Sequence, residues 1–124
     1  MGRGVIPILR VGPNLLATVH IELRDDVVEA FQEDILDELE KRGASGLVID
    51  VSGIDVVDTY VARVLSETGR MAKLMGTESV LVGIRPDIAA TLIRMGYAME
   101  GVNTALNVDD GIEVLRELAQ RRKG

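Results

Sequence analysis

An α/β domain built on an open, mostly parallel sheet is what this sequence predicts, and three observations carry the expectation. Short apolar runs alternate with longer stretches in which apolar residues recur at three- and four-residue steps, the respective signatures of buried strands and amphipathic helices. The alternation is preceded by two β-branched runs separated by Gly12-Pro13-Asn14, which reads as a hairpin. The chain has 124 residues, 47% of them hydrophobic. A chain of this size buries about two thirds of its surface, so a single core needs no staples. Residues 1–124 are therefore expected to form one domain, with no linker, internal repeat or low-complexity segment.

The elements follow in order. Val5 to Val11 and Leu15 to Ile21 are the two strands of the hairpin. From Asp25 the period changes: Val27, Phe31, Ile35 and Leu39 recur every four residues among Glu33, Asp34, Asp37, Glu38 and Lys41, a helix that ends near Gly43. Leu47 to Val51 is a short apolar run bounded by Gly46 and Ser52-Gly53, as expected of a central strand covered on both faces. Val57, Tyr60, Val61, Val64, Leu65, Thr68, Met71, Ala72 and Met75 predict a second helix, with Gly76 at its C-terminus. Ser79 to Ile84 is a further strand. Pro86 then starts a third helix carrying Ile88, Leu92 and Met95 before Gly96. Val102 to Val108 is a weak strand. A fourth helix from Asp109 carries Ile112, Leu115, Leu118 and Ala119 on one face and ends in Arg121-Arg122-Lys123, cations that suit a helix C-terminus. The fold class is thus α/β: a mixed, mostly parallel sheet with an N-terminal β-hairpin and about four helices.

Composition narrows the function classes. There is no cysteine, which removes disulfides, thiolate metal sites and cysteine nucleophiles, and a chain of that kind suits the cytoplasm. No apolar run reaches the roughly 18 residues of a membrane span and no secretory h-region is visible, so neither membrane nor export is expected. Fourteen basic against 20 acidic residues give a net charge of −6, which argues against binding a phosphate backbone. The aromatic residues are Phe31, Tyr60 and Tyr97, too few for a base-stacking platform.

Candidate chemistry is sparse. His20 is the single histidine, so no His-pair metal site exists, no metal or other cofactor is expected, and a hydrolase would have to combine His20 with Ser52 and an aspartate. Gly2-Arg3-Gly4 and Gly43-Ala44-Ser45-Gly46 match neither phosphate-cradling motif. A receiver-type acidic site built from Asp25, Asp26, Asp50 and Asp55 or Asp58 lacks its lysine, because Lys41, Lys73 and Lys123 fall elsewhere; Asp25 and Asp26 suit a helix start instead. The informative stretch is Ser52 to Val61, which runs from the end of the central strand into the second helix, where loops of open α/β sheets collect function. Asp58 is placed as the helix N-cap and Thr59 as the first helical residue. Chemistry alone reads this as a capping pair, with phosphorylation of the Thr59 hydroxyl as the alternative.

At these residues the chain resembles a known family. Leu47-Val48-Ile49-Asp50-Val51-Ser52-Gly53-Ile54-Asp55-Val56-Val57-Asp58-Thr59 is similar to the STAS domain pattern of an apolar strand, a short loop and Asp-Ser or Asp-Thr at the next helix. Met71-Ala72-Lys73-Leu74-Met75-Gly76 and Gly83-Ile84-Arg85-Pro86-Asp87-Ile88-Ala89 resemble the stressosome branch of these anti-sigma factor antagonists, in its RsbS-like single-domain form. The resemblance spans nearly the whole chain. It implies a non-enzymatic scaffold and antagonist that assembles with larger, RsbR-like STAS paralogues and holds an RsbT-like serine/threonine kinase. Phosphorylation would release the kinase and a phosphatase would reset the site; the resemblance also implies a homo-oligomer, a dimer. The acceptor it implies is Thr59, with Thr91 a weaker second position, although this chain has Asp58-Thr59-Tyr60-Val61 where many antagonists have Asp-Ser-Ser-Gly. The expected switch loop and partner surface is Ser52, Gly53, Asp55, Val56, Asp58, Tyr60 and Arg63, continued along the helix by Glu67 and Arg70, with Arg85 and Asp87 ambiguous. The competing expectation is a small-ligand or nucleotide-binding module that uses the same crevice at the positive end of the second helix.

Overall fold

The computed structural model describes residues 4–94 and 102–123. Its element order is β1 (Ile8–Val11), β2 (Asn14–Thr18), α1 (Asp25–Arg42), β3 (Gly46–Asp50), α2 (Thr59–Leu74), β4 (Glu78–Val82), α3 (Pro86–Arg94), β5 (Asn103–Ala105) and α4 (Val108–Lys123). The order expected from periodicity is the order found. Differences lie at the ends. The first strand begins at Ile8 because Pro7 has no N–H to give to the ladder, although Ile6 is buried. The second strand stops at Thr18, so His20 stands exposed in a loop rather than in a strand. Val57 precedes the second helix instead of opening it. The expected end of the third helix at Met95 and Gly96, and Tyr97, fall outside the described residues.

The five strands lie in the order β1-β2-β3-β4-β5, with β1 antiparallel to β2 and every other neighbour pair parallel. Three successive crossovers therefore step the same way along the sheet, and their shared right-handedness puts their helices on one face. That face carries the main core: Leu15, Ala17, Leu47, Ile49 and Leu81 of the strands meet Val28, Phe31 and Ile35 of α1, Val61 and Leu65 of α2, and Leu92 of α3. The alternate strand residues point to the other face, where Val48, Val80 and Val82 meet Leu115 of α4. β3 is covered on both sides, hence its continuous apolar run.

Because the helices run antiparallel to β2–β5, helix N-termini and strand C-termini share one pole of the molecule. Acidic side chains open the helices there: Asp25 and Asp26 in α1, Asp87 in α3, Asp109 and Asp110 in α4. Lys41 and Arg42 close α1 and Lys73 closes α2 at the opposite pole, so both sets of charges complement the helix dipoles.

Candidate functional site

The switch segment begins where β3 ends. The ladder continues past the strands, Val19 N–H donating to Asp50 O at 2.9 Å and Val51 N–H to Val82 O at 3.0 Å, so the chain leaves the sheet from a fixed point. Asp50 Oδ1 then accepts from both Ser52 N–H at 2.9 Å and Ser52 Oγ at 2.7 Å, which turns the chain sharply. Gly53 passes so close to the neighbouring loop that a Cβ there would lie 2.8 Å from Val19 O. Gly83, at the end of β4, takes φ +81° and faces Ser52, where a Cβ would fall 2.7 Å from Ser52 Cβ. Two backbones meet here at a distance only glycine permits.

Beyond the turn, Ile54 and Val57 are buried as anchors, and the residues between them are lifted outward. Val56 is 68% exposed, an apolar side chain at the crest of a loop. Asp55 pairs with Arg85 at 3.0 Å across the cleft, and Arg85 also reaches Asp87 at 3.4 Å. Desolvation pushes the Asp87 carboxyl up, but the hydrogen bond and charge of Arg85, with the Ile88 N–H, outweigh it and hold the group below the ordinary carboxylate value.

Asp58 has extended backbone (φ −88°, ψ 176°), and its Oδ1 accepts from Val61 N–H at 2.8 Å. It is the N-cap of α2, as its position in the sequence indicates. Thr59 is the first helical residue. It is exposed, and its hydroxyl has no hydrogen-bond partner among the described residues. Tyr60 lies alongside: its hydroxyl donates to Glu29 of α1, and the Arg63 guanidinium sits 5.1 Å from the ring centroid. The bond to Glu29, then desolvation and the charges of Glu29 and Asp25, raise the Tyr60 pKa above the ordinary tyrosine value against the pull of Arg63.

Of the expected residues, Ser52, Gly53, Asp55, Val56, Asp58, Thr59 and Arg63 are exposed along this rim, while Tyr60 is half-buried and packs against the main core. Thr91 is of another kind. It lies on α3, half-buried, and its hydroxyl donates back to Asp87 O at 2.9 Å within its own helix. The Ser52 hydroxyl is bonded to Asp50 and not to His20, so no Ser-His pair forms. The groove of about 320 Å³ beside this rim is lined by Asp50, Ser52, Gly83, Leu106, Asn107, Val108 and Asp109, carboxylates without a cation, which repels the phosphates of a nucleotide. The Arg85–Asp55 clamp and the Tyr60–Glu29 tie had no sequence signal, since their partners are about thirty residues apart.

Residues 7–111 match the family described as the STAS domain. The chain belongs to the STAS domain family. Its STAS fold superimposes on RsbS of Moorella thermoacetica, solved as a serine-to-glutamate variant, with a TM-score of 0.81 at 41% identity, covering 93% of this chain and 97% of that one. A chain in the solved architecture of the stressosome, described as a signal integration and transduction hub, matches with a TM-score of 0.78 at 42% identity, covering 91% and 98% respectively. The RsbT co-antagonist protein RsbRA of Bacillus subtilis (strain 168) is 32% identical over 90 residues, 73% of this chain. This STAS chain spans only 33% of that protein's length. No helix among the described residues is long and apolar enough to cross a membrane.

Proposed function

We propose that this STAS protein is a cytoplasmic, non-enzymatic scaffold and antagonist of a stressosome. In this role it assembles with larger RsbR-like paralogues, holds an RsbT-like serine/threonine kinase, and releases it when Thr59 is phosphorylated; a phosphatase then restores the binding state. The observation that carries the reading is Thr59 itself: an exposed, unbonded hydroxyl at the first position of α2, beside exposed Val56 on a loop pinned by Ile54 and Val57. Similarity to RsbS over nearly the whole of both chains, and to RsbR proteins named as RsbT co-antagonists, supports the assignment of partners.

The physical chemistry gives the switch its direction. A phosphate on Thr59 adds about −1.5 to −2 charges. At a helix N-terminus it gains roughly 0.3–1 kcal/mol, so the fold is kept. Across an interface that same charge is costly, because two unit charges about 6 Å apart repel by about 3 kcal/mol at an effective dielectric of about 20. Asp55 and Asp58 already make the rim acidic, and a partner seated over Val56 has to desolvate the phosphate.

The test is phosphosite mapping by mass spectrometry after incubation with ATP and an RsbT-like kinase, on the parent and Thr59→Ala. Phosphate is expected on Thr59 of the parent and nowhere in the variant. A Thr59→Glu chain is expected to keep the parent circular dichroism spectrum and melting temperature while losing the kinase in a pull-down. A folded Thr59→Glu chain that holds the kinase as well as the parent overturns the release mechanism.

A further inference from the structure

Thr59 and Arg63 stand one turn apart at the start of α2, and both are exposed. Side chains in that relation are neighbours on a helix surface. The Arg63 guanidinium forms no ion pair among the described residues and rests instead on the Tyr60 ring, 5.1 Å from its centroid. The ring is fixed, because its hydroxyl donates to Glu29 and its body packs against the main core. The carboxylates on the elements around Arg63 are Asp25 and Glu29 of α1, Asp55 and Asp58 of the switch loop, and Glu67 one turn further along α2. Three of these are engaged elsewhere: Glu29 by the Tyr60 hydroxyl, Asp58 by the Val61 N–H and Asp55 by Arg85. Arg85, the other guanidinium of the rim, is shared between Asp55 at 3.0 Å and Asp87 at 3.4 Å. Arg63 is thus a cation held by a ring face alone, one turn from the candidate acceptor hydroxyl.

We propose that Arg63 receives the phosphate of modified Thr59: the guanidinium leaves the Tyr60 ring and pairs with the phosphate, which is thereby folded back along the first turn of α2. The inference deepens the reading of Thr59 as the modified residue and rests on it. A phosphate offers about −1.5 to −2 charges and three acceptor oxygens, and the planar fork of an arginine matches two of them. The order along the helix is the favourable one, with the anion toward the N-terminus and the cation four residues on. The helix start is a poor cradle by itself, since the Asp58 carboxylate already accepts from the Val61 N–H. The consequence is a local reversal of charge: a partner lying over Thr59 and Arg63 meets a bound anion where a free cation stood, and the Tyr60 ring face is uncovered at the same time.

Phosphothreonine encoded at position 59 by stop-codon suppression tests this on the whole chain without any kinase. A kinase that ignores Thr59 therefore defeats the proposed function, while the present measurement stands or falls separately. In phosphorus NMR titrations at low salt, the second acid constant of the phosphate is expected to be at least about twofold larger in the parent than in Arg63→Gln, because a neighbouring cation favours the dianion. Arg63→Lys is expected to fall between the two, and the difference to shrink in about 1 M NaCl, where screening contracts to about 3 Å. The Arg63 Nε–H resonance, shielded by the Tyr60 ring in the unmodified chain, is expected to move downfield when the phosphate is present. Circular dichroism checks that the variants of this exposed side chain remain folded. Equal acid constants in the parent and Arg63→Gln overturn the proposal, as does an Arg63 resonance that the phosphate leaves in place. A shift produced by Arg85→Gln and not by Arg63→Gln assigns the phosphate to the other guanidinium and overturns it likewise.

Discussion

Tyr60 carries the side-chain tie that fastens the start of α2 to α1, through a hydroxyl that donates to Glu29. Ionisation of the phenol destroys that donor, so the folded chain favours the protonated form and its pKa lies above the unfolded value. The linkage has a definite sign. The stabilisation is fully present below the unfolded tyrosine value, and is lost as pH rises through the higher folded value. In a Tyr97→Phe background, ultraviolet titration is expected to give a Tyr60 midpoint above the ordinary tyrosine value, and Glu29→Gln to bring it down. A midpoint that Glu29→Gln leaves in place removes Glu29 as the cause. Residues of this kind divide sharply in how legible they are. Asp58 was readable as a cap because its acceptor oxygen and the Val61 N–H are three residues apart, whereas Tyr60 and Glu29 are joined only by the packing of two helices. Thr59 needed both: its position at the helix start is local, while its exposed and unbonded hydroxyl belongs to the folded chain.

The switch loop depends on the strand beside it. Gly83 takes a positive φ at the end of β4 while lying against Ser52, so it is constrained twice, by its own backbone and by the neighbouring turn. Alanine at this position incurs about 1–2 kcal/mol for the left-handed conformation, and its methyl group has to displace a loop already held by the Asp50–Ser52 bonds. Gly76 is the internal control. It has φ +90° with nothing within 4 Å of a Cβ, so Gly76→Ala carries the conformational penalty alone. Urea unfolding is expected to rank the variants: Gly83→Ala loses about 2–4 kcal/mol, more than Gly76→Ala, and the excess measures the contact with Ser52. Equal losses rule out the contact as a determinant of the loop. Element types and order were legible because each helix or strand carries its own hydrophobic period. The glycine was not, since a lone Gly after a strand reads as a generic turn, and its partner Ser52 lies across a parallel pair.

Across the whole molecule the two faces of the sheet are unequal. Three helices and most of the buried side chains lie on the α1–α2–α3 face, and α4 alone covers the other, with Leu115 as its fully seated side chain beside partly buried Val108, Ile112 and Val114. α4 lies over β3, β4 and β5, and leaves Leu9 and Val11 of the β1 edge exposed. The asymmetry follows from chain order: crossovers of one hand fill one face, and only the segment after the last strand is free to cover the other. That logic made the parallel sheet legible from sequence, but not the fraction of the second face that one helix covers. Stability then divides along the same line, because local opening costs least where buried apolar area is smallest. Detaching α4 exposes Val48, Val80, Val82 and Leu115, while detaching α2 opens the main core around Leu65, Val61 and Phe31. Native-state hydrogen exchange is therefore expected to show α4 amides exchanging through a sub-global opening of lower free energy and smaller denaturant dependence than the amides of β3 and α2, whose slowest members report global unfolding. Leu115→Ala should lower the α4 protection further while leaving the switch loop's anchors, Ile54 and Val57, as protected as before. If α4 amides prove as slow as those of β3, the two faces form one cooperative unit.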